Sequence, residues 1–273
     1  MGYKPSPRPS FDAPTAIRAA DAVRHTWGDA EAGFVEDLIY VSSERIHAIV
    51  FALPVGGVFR HSDSFRTVFA ADELLYVLQG TLVLANPETG EIVRAEPGES
   101  VFFRRDTWHH GFSYGEDELR VLEFFAPPPA TGTSGAYAQT RPYLSENAYA
   151  DESLVGALVE RPEQRSFRLL RPGDAVWRLD RDVLVGLLVS TEHLTVGTLR
   201  VLPGQSSLEE SHAGDELVYV TRGALRVSAG GVEETLAAGD GFSIPAGTSH
   251  SYSAHGDESA EAIFGVAPAY GAA

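Results

Sequence analysis

The fold is decided by GQSSLEESHAGDELVYVTRG at residues 204–223, together with GDGFSIPAGTSH at residues 239–250. These stretches have the form G-x5-E-x-H-x3-E-x6-G and G-x5-P-x-G-x2-H. Glu210 and His212 are two residues apart, so both project from one face of an extended segment. A glutamate that opens the next predicted strand and a histidine from a later strand complete a set of donors for one metal ion. The predicted ligands are Glu210, His212, Glu216 and His250.

The pattern resembles the two sequence motifs of the cupin superfamily. Glu210 stands where the family has the first His of an H-x-H pair, and Ala254 stands where it has a closing Asn. The resemblance implies a jelly-roll barrel, with two imidazoles and two carboxylates in place of three imidazoles and one carboxylate. The matching positions are Gly204, His212, Glu216, Gly223, Gly239, Pro245, Gly247 and His250.

The chain contains a second copy of the pattern, which identifies it as a bicupin. We therefore predict an all-β fold with two tandem cupin jelly-roll barrels. The predicted boundaries are 1–127 for an amino-terminal arm and the first barrel, 128–165 for a linker, and 166–273 for the second barrel. A short helix is predicted within the linker, over 146–160. The pairs between the copies are Glu73 with Glu216, Gly80 with Gly223, Gly98 with Gly239, and His109 with His250.

An insertion makes the first copy ambiguous. Counting forward from the preceding strand places His61 opposite Glu210, whereas counting back from Glu73 leaves Thr67 and Phe69 in the ligand positions. Only the forward count provides a metal site. We therefore predict that the second barrel is the principal catalytic site and that the first is a weaker metal site or a structural partner. The ligands of the weaker site would be His61, Glu73 and His109.

Composition excludes several kinds of chemistry. The 273 residues include no cysteine, which removes thiolate ligands, iron–sulfur clusters and disulfides. Lys4 is the only lysine and lies in a polar tail, so no candidate exists for Schiff-base chemistry. The net charge of -17 argues against nucleic acid and anionic membranes as partners. The amino terminus lacks the apolar region of a signal peptide, and we expect a cytoplasmic protein.

The donor set favours Fe²⁺ or Mn²⁺, with Zn²⁺ or Ni²⁺ as alternatives, at one divalent ion per chain. The resemblance implies a metal-dependent enzyme acting on a small organic molecule, first of all a non-haem dioxygenase. A redox-neutral aminohydrolase, decarboxylase or isomerase and a non-catalytic small-molecule-binding bicupin are the alternatives. Glu210 or Glu216 is the candidate proton shuttle.

Two further expectations concern packing. Bicupins resemble the dimer of single cupins, and exposed sheet edges are usually covered, so we expect a homodimer. The aromatic residues near the motifs are expected to fill the barrels without a role in the site. They are Phe103, Trp108, Tyr219, Phe242 and Tyr252.

Overall fold

The computed structural model describes residues 6–129, 135–153, 165–268 and 270. Almost all regular structure in these ranges is β-strand, and the one α-helix among them, α1, is the single turn Gly135–Ala138. Among the described residues, no helix has the length and apolar character needed to cross a bilayer. The all-β prediction is confirmed.

The first barrel is formed by two facing sheets. The larger sheet has the order β12-β9-β6-β11-β4-β3-β2 and the smaller has the order β5-β10-β7-β8. Its strands are β2 (Val23–Asp29), β3 (Gly33–Ser42), β4 (His47–Leu53), β5 (Val58–Phe59), β6 (Asp72–Gln79), β7 (Leu82–Ala85), β8 (Ile92–Ala95), β9 (Ser100–Phe103), β10 (His110–Ser113), β11 (Leu119–Ala126) and β12 (Arg168–Leu170).

The second barrel repeats this plan. Its larger sheet has the order β1-β19-β16-β21-β15-β14-β13 and its smaller sheet the order β18-β17-β20. Its strands are β1 (Thr15–Ile17), β13 (Val176–Asp180), β14 (Val183–Ser190), β15 (Thr195–Val201), β16 (Asp215–Arg222), β17 (Ala224–Ala229), β18 (Val232–Ala237), β19 (Gly241–Ile244), β20 (His250–Ala254) and β21 (Ala260–Ala267).

The two large sheets pack against each other through their outer faces. Alternation along each strand sends one set of side chains into its barrel and the other into this interface. Tyr40 and Tyr219 meet edge to face with ring centroids 5.4 Å apart, and the Tyr40 hydroxyl donates to the Gly239 carbonyl at 2.6 Å. Phe124 lies so close to Gly265 that a β-carbon there would be 2.5 Å from its ring. The interface is therefore a third apolar core, distinct from the two barrel interiors.

Each barrel also includes one strand that belongs, by the predicted boundaries, to the other domain. Strand β1, in the amino-terminal arm, pairs with β19 of the second barrel. Strand β12, which begins the predicted second domain, pairs with β9 of the first barrel. Each predicted domain thus contributes a short strand to the sheet of the other barrel. Phe167, just before β12, also packs in the core of the first barrel.

The linker is held against the first barrel. Its described part contains α1 and a 3₁₀ turn at Ala148–Ala150. The helix predicted over 146–160 is replaced by this turn as far as residue 153, and its remainder lies outside the described residues. Because the 3₁₀ turn begins with a bond from the Ala148 amide to the Pro87 carbonyl at 2.8 Å, the linker returns to the barrel surface there.

Candidate metal centre

The second barrel brings its four predicted ligands to one end of its interior. Glu210 and His250 exchange two backbone hydrogen bonds of 2.9 Å, which fixes them opposite each other across an antiparallel bridge. The segment then turns inward, where the His212 carbonyl accepts a bond of 2.7 Å from the Gly247 amide. Glu216 is the second residue of β16 and points into the same space.

The ligand atoms lie within coordination distance of a common point. The Glu216 Oε2 atom is 3.4 Å from His212 Nε2 and 3.2 Å from His250 Nε2. One ligand atom each of Glu210, His212 and His250 lies within 4.8 Å of the others. Ligands around a divalent ion are separated by about 3 Å when each bond is ~2.1 Å long, so the separations between Glu216 and the two histidines match one shared ion.

Backbone carbonyls set the tautomer of both histidines. The Nδ1 atom of His212 is 3.0 Å from the Tyr270 carbonyl, and that of His250 is 2.9 Å from the Thr248 carbonyl. A carbonyl only accepts, so each Nδ1 must carry the proton and donate it. In the neutral ring, each Nε2 then keeps a lone pair that faces the other ligands. Metal-binding histidines are usually oriented by a hydrogen bond of this kind from the ring nitrogen that does not bind the metal.

Two buried atoms in the site have no hydrogen-bond partner among the described residues. They are Glu216 Oε2 and His250 Nε2, which face each other. The other carboxylate oxygen, Glu216 Oε1, accepts a bond of 2.7 Å from the Tyr252 hydroxyl. Unsatisfied buried polar atoms are costly, and a bound cation would satisfy both at once. The residues present therefore fit a divalent metal ion.

The charges of the site are also matched to a cation. Burial raises the pKa of Glu216, but the opposing effects of His250, His212 and the Tyr252 hydroxyl outweigh it and the pKa is lowered. Burial lowers the pKa of His250, but Glu216 outweighs that effect and raises the pKa to about 9. Glu216 is thus kept ionised without metal by attraction to a histidine whose proton a metal ion would replace.

The mouth of the site is covered by residues that the motifs did not indicate. The Tyr270 ring stacks on His212 with centroids 4.6 Å apart, and its hydroxyl accepts a short hydrogen bond from Arg178. Arg178 also approaches Glu210 Oε2 at 3.4 Å. The remaining cavity is only about 10 Å³. Tyr270 is one of the residues that line this small cavity.

Tyr252 also contacts a predicted ligand, Glu216. The sequence analysis predicted that this side chain would only fill the barrel. It lies two residues after His250 on β20, so strand alternation places both on the same inward face. That spacing could have indicated its position. Tyr270 and Arg178 had no such signal, because they reach the site from beyond β21 and from β13.

The first barrel contains a related but different group. One ligand atom each of Glu73, His109 and Glu123 lies within 4.8 Å of the others, and all three side chains are buried. The His109 Nε2 atom is 3.8 Å from Glu73 Oε2, while its Nδ1 atom is 3.3 Å from the Thr107 carbonyl. The predicted pair Glu73 and His109 is thus brought together, and Glu123 joins it from β11.

His61, the other predicted donor of this barrel, is not part of that group. Its Nδ1 atom is 2.6 Å from His110 Nε2, and its Nε2 atom is 2.7 Å from the Leu144 carbonyl. Both ring nitrogens are therefore engaged away from Glu73. The forward count across the insertion, which placed His61 among the ligands, does not describe the structure.

The alignment obtained by counting back from Glu73, which puts Thr67 and Phe69 in the ligand positions, agrees with the structure. The Thr67 carbonyl accepts from the His109 amide at 3.1 Å, as the Glu210 carbonyl accepts from the His250 amide in the second barrel. Phe69 packs against His109 with ring centroids 5.7 Å apart, in the position that His212 takes beside His250. Thr67 and Phe69 thus replace two ligands, and the insertion forms the loop that precedes them.

The larger cavity of the two barrels lies in the first. Its volume is about 100 Å³, and its walls combine aromatic rings with polar groups. The polar residues of the lining include His25, Asp37, His47, Arg66, Thr67, His109 and Glu123. The first barrel, predicted to be a weaker metal site or a structural partner, thus has a larger cavity than the one of about 10 Å³ beside the ligands of the second barrel.

The buried acids of this cavity lack a full set of partners. Burial raises the pKa of Asp37 to about 8, although the Trp27 ring N–H donates a hydrogen bond to it. Burial raises the pKa of both Glu73 and Glu123, whose carboxyl groups are hydrogen-bonded to each other. Burial lowers the pKa of His109 to about 4. Burial therefore favours the neutral forms of these acids and of the imidazole while no cation is bound, whereas the second barrel holds an ion pair.

Comparison with known proteins places the chain in a family. The model of the cupin domain matches residues 70–125 and 197–266. AerE from Microcystis aeruginosa is similar in structure, with a TM-score of 0.62, 10% identity, and 90% of this chain and 97% of that chain covered. Protein Ylba from E. coli has a TM-score of 0.66, 9% identity, and 93% and 90% covered. No curated protein sequence matches the chain.

A mutant of the Bacillus subtilis oxalate decarboxylase OxdC is also similar, with a TM-score of 0.63 and 13% identity over 95% of this chain and 78% of that chain. At these identities the likeness concerns the fold alone. One matched region lies within each of the two barrels described above. The chain is a two-domain member of the cupin superfamily.

Proposed function

We propose that the protein is a metal-dependent enzyme that acts on a small organic molecule at the centre in its second barrel. One observation carries the proposal. Glu216 Oε2 and His250 Nε2 are buried, 3.2 Å apart and without hydrogen bonds among the described residues, while the opposite ring nitrogen of His250 is bound to a carbonyl. With a neutral His250 ring, this arrangement leaves two polar atoms unpaired unless a metal ion joins them. With a protonated ring the two atoms form an ion pair, in which a metal ion would take the place of the proton.

The two carboxylates of the centre are held differently. Glu216 is buried and its outer oxygen is bound by Tyr252, whereas Glu210 is half-buried and lies beside Arg178. The firmly held set is therefore His212, His250 and Glu216, the two-histidine, one-carboxylate combination typical of non-haem iron oxygenases. A dioxygenase is accordingly the first reaction that we propose. Glu210, at the mouth, would then be free to transfer a proton to or from the substrate.

A redox-neutral reaction is the second candidate, because Glu210 is close enough to complete the ligand set. Its ligand atom lies within 4.8 Å of those of His212 and His250. Two carboxylates would cancel the charge of a divalent ion and favour Mn²⁺. Oxalate decarboxylase from Bacillus subtilis, one of the similar structures, contains Mn(II) centres. An aminohydrolase, decarboxylase or isomerase would use such a centre.

In either case a bound metal would supply Lewis acidity or redox chemistry, and the chain's residues would supply the pocket. Val183, Val185 and Leu199 form apolar walls beside the ligands. Arg178 is the cation nearest the mouth and contacts both Glu210 and Tyr270. We therefore expect a small substrate with one oxygen-bearing end for the centre and an apolar remainder. Its entry would move Tyr270 aside.

The decisive experiment measures metal content and oxygen uptake together. Protein purified without added ions is analysed for metals, reloaded with Fe²⁺ or Mn²⁺, and tested with small carbonyl compounds, carboxylic acids and phenols. Iron with substrate-dependent oxygen consumption supports the dioxygenase. Turnover with manganese or zinc and no oxygen uptake supports the redox-neutral enzyme. If no divalent ion binds, the enzyme proposal is wrong and a non-catalytic binding protein remains.

Two matched variants test which barrel carries the reaction. His109→Ala and His250→Ala remove equivalent histidines from the two barrels. Changing a residue that only supports a metal ligand typically reduces metal affinity or activity by ~10–100-fold. His250→Ala removes a ligand itself, so we expect at least about a 100-fold loss of kcat/KM. We expect less than about a tenfold loss for His109→Ala, because the first barrel lacks two of the ligands. Loss confined to His109→Ala would place the reaction in the first barrel.

We also propose that the protein forms a homodimer through an edge strand. Strand β13 ends the large sheet of the second barrel, and Leu179 and Val176 on it are 70% and 71% exposed. Exposed apolar edges favour pairing with another chain. Light scattering should give twice the chain mass of 29.4 kDa, and Leu179→Glu should shift the mass toward one chain. A wild-type mass of one chain contradicts the proposal. The cytoplasmic location stays a prediction.

A further inference from the structure

The cavity of the first barrel has several polar atoms that no described residue satisfies. Asp37 Oδ1, His47 Nδ1 and Thr67 Oγ1 belong to lining residues and lack hydrogen-bond partners, as does the Nε atom of Arg66. All four side chains are more than nine-tenths buried or at that limit. Buried polar atoms without partners are rare in folded proteins. Their concentration around one cavity indicates that a ligand with several polar contacts belongs there.

A single metal ion would not satisfy these atoms. The group that could hold an ion consists of Glu73, His109 and Glu123, and neither Asp37 nor His47 is among them. Coordination bonds are only about 2.0–2.6 Å long, so an ion at that group cannot also reach the atoms on the other walls. A molecule of several atoms can.

The walls and the charges indicate what kind of molecule fits. Trp27 lies with its ring centroid 6.2 Å from that of Phe59 and 6.0 Å from that of Phe65, and Phe69 and Phe125 meet at 5.4 Å. Such faces attract organic cations. They surround the carboxyl groups of Asp37 and Glu123, and the buried cation of the same lining, Arg66, pairs with a different carboxylate. The guanidinium of Arg66 is turned to Asp63 at 3.1 Å and to the Arg141 carbonyl at 2.9 Å.

The second barrel shows that these acids are not required by the fold. In the paired strands, Glu123 on β11 corresponds to Phe264 on β21, and Asp37 on β3 corresponds to Val185 on β14. An apolar side chain thus occupies each place in the other barrel. Burying a carboxyl group costs free energy, so acids at both positions imply a function in the first barrel.

We propose that the first-barrel cavity is a second ligand site that takes a small organic ammonium ion. The N–H groups of the ion would bind the carboxyl groups of Asp37 and Glu123, and its carbon skeleton would lie against the aromatic walls. The half-buried Ser6, His25 and Pro129 form part of the lining, so the cavity reaches the surface. A cavity of about 100 Å³ is smaller than the ~150 Å³ cavity that holds benzene, so the enclosed part has on the order of five or six heavy atoms.

Cyclopentylammonium has this size and charge, and calorimetry of the full-length, chelator-treated protein at neutral pH tests the proposal. Cyclopentanol is the neutral control and cyclopentanecarboxylate is the anionic control. We expect the ammonium ion to bind at least about tenfold more tightly than the alcohol, and the carboxylate not to bind. Equal binding of the alcohol, or no binding of the ammonium ion at millimolar concentration, overturns the proposal.

Variants then locate the site. Glu123→Gln and Asp37→Asn keep side-chain volume but remove a carboxyl group, and each should weaken ammonium binding at least about tenfold. Glu210→Gln, the same side-chain change made at the centre in the second barrel, should leave ammonium binding unchanged. If Glu210→Gln weakens binding as much as Glu123→Gln does, the ligand sits at the metal centre and the proposal is wrong. Binding of Mn²⁺ that Glu123→Gln abolishes, without ammonium binding, also contradicts it.

Discussion

The two barrels place the same strands around opposite kinds of interior. Glu216 and Glu73 occupy equivalent positions, and so do His250 and His109, since each glutamate pairs with the equivalent residue of the central strands. In the second barrel they meet two further ligands and leave a cavity of about 10 Å³, whereas in the first they leave one of about 100 Å³. Replacing a few inward side chains thus converts a compact cation centre into a cavity that can enclose a molecule.

The difference is electrostatic as well as steric. Glu216 lies against two histidines and its pKa is lowered, while Glu73 lies against another carboxyl group and its pKa is raised by burial and by Glu123. A carboxylate next to an imidazole can bind a metal ion directly. Two carboxyl groups that share a proton must first lose that proton before both can bind a metal ion. The pKa values of these equivalent glutamates are therefore shifted in opposite directions by their neighbours.

The largest expected effect is loss of the metal itself. Replacing His212 and His250 together by Ala removes both imidazoles, so metal retention should be abolished while the β-sheet circular dichroism remains. Inductively coupled plasma mass spectrometry of the purified protein measures it. His109→Ala is the matched control and should keep the metal. A double variant that retains a full equivalent contradicts the assignment of these ligands.

The next largest expected effect is the gain of a metal-binding site in the first barrel. Thr67→Glu with Phe69→His installs the two ligands that the second barrel has and the first lacks, beside Glu73 and His109. We expect this variant to bind one more equivalent of Mn²⁺ than the wild type, because the backbone around both positions is equivalent in the two barrels. Equilibrium dialysis measures the stoichiometry. An unchanged stoichiometry would show that more than these side chains separates the barrels.

Asp37 should make stability depend on pH. Its pKa is about 8 in the folded protein, against 3.8 for an aspartate in water, so unfolding releases a proton between these values and stability falls as the pH rises through them. Asp37→Asn removes this slope. It should be about as stable as the wild type near pH 4 and more stable by about 2–5 kcal/mol at pH 8. Urea denaturation across this range checks it, with Val185→Asn as the contrasting change in the second barrel.

The smallest expected effect concerns the hydroxyl that holds Glu216. Tyr252→Phe removes the 2.7 Å hydrogen bond to Glu216 Oε1 without changing the ring. Hydrogen bonds that support a metal ligand contribute ~10–100-fold to metal affinity, and we expect the lower end, about tenfold. Competition with a fluorescent chelator measures the affinity. Tyr149→Phe, whose hydroxyl contacts His110 in the first barrel, should have no effect. Equal affinities for wild type and Tyr252→Phe would show that Glu216 needs no support.

The sequence by itself determined the fold and most of the donor positions. Strand alternation and turn residues are local properties, so the spacing from Glu210 to His250 predicted which side chains converge. The repeat likewise predicted that Glu73 and His109 meet. The position of Tyr252 beside the ligands could have been predicted in the same way, because it follows His250 by two residues on one strand.

Tertiary structure alone decided which residues complete each interior. Glu123 joins Glu73 only because β11 pairs with β6, and Tyr270 covers His212 from beyond the last strand. The insertion before Thr67 could be aligned in two ways until its path was known, which is why His61 was placed among the ligands. The exchange of β1 and β12 between the barrels had no local signal either. Contacts between distant segments depend on the path of the whole chain, and spacing within one motif does not record that path.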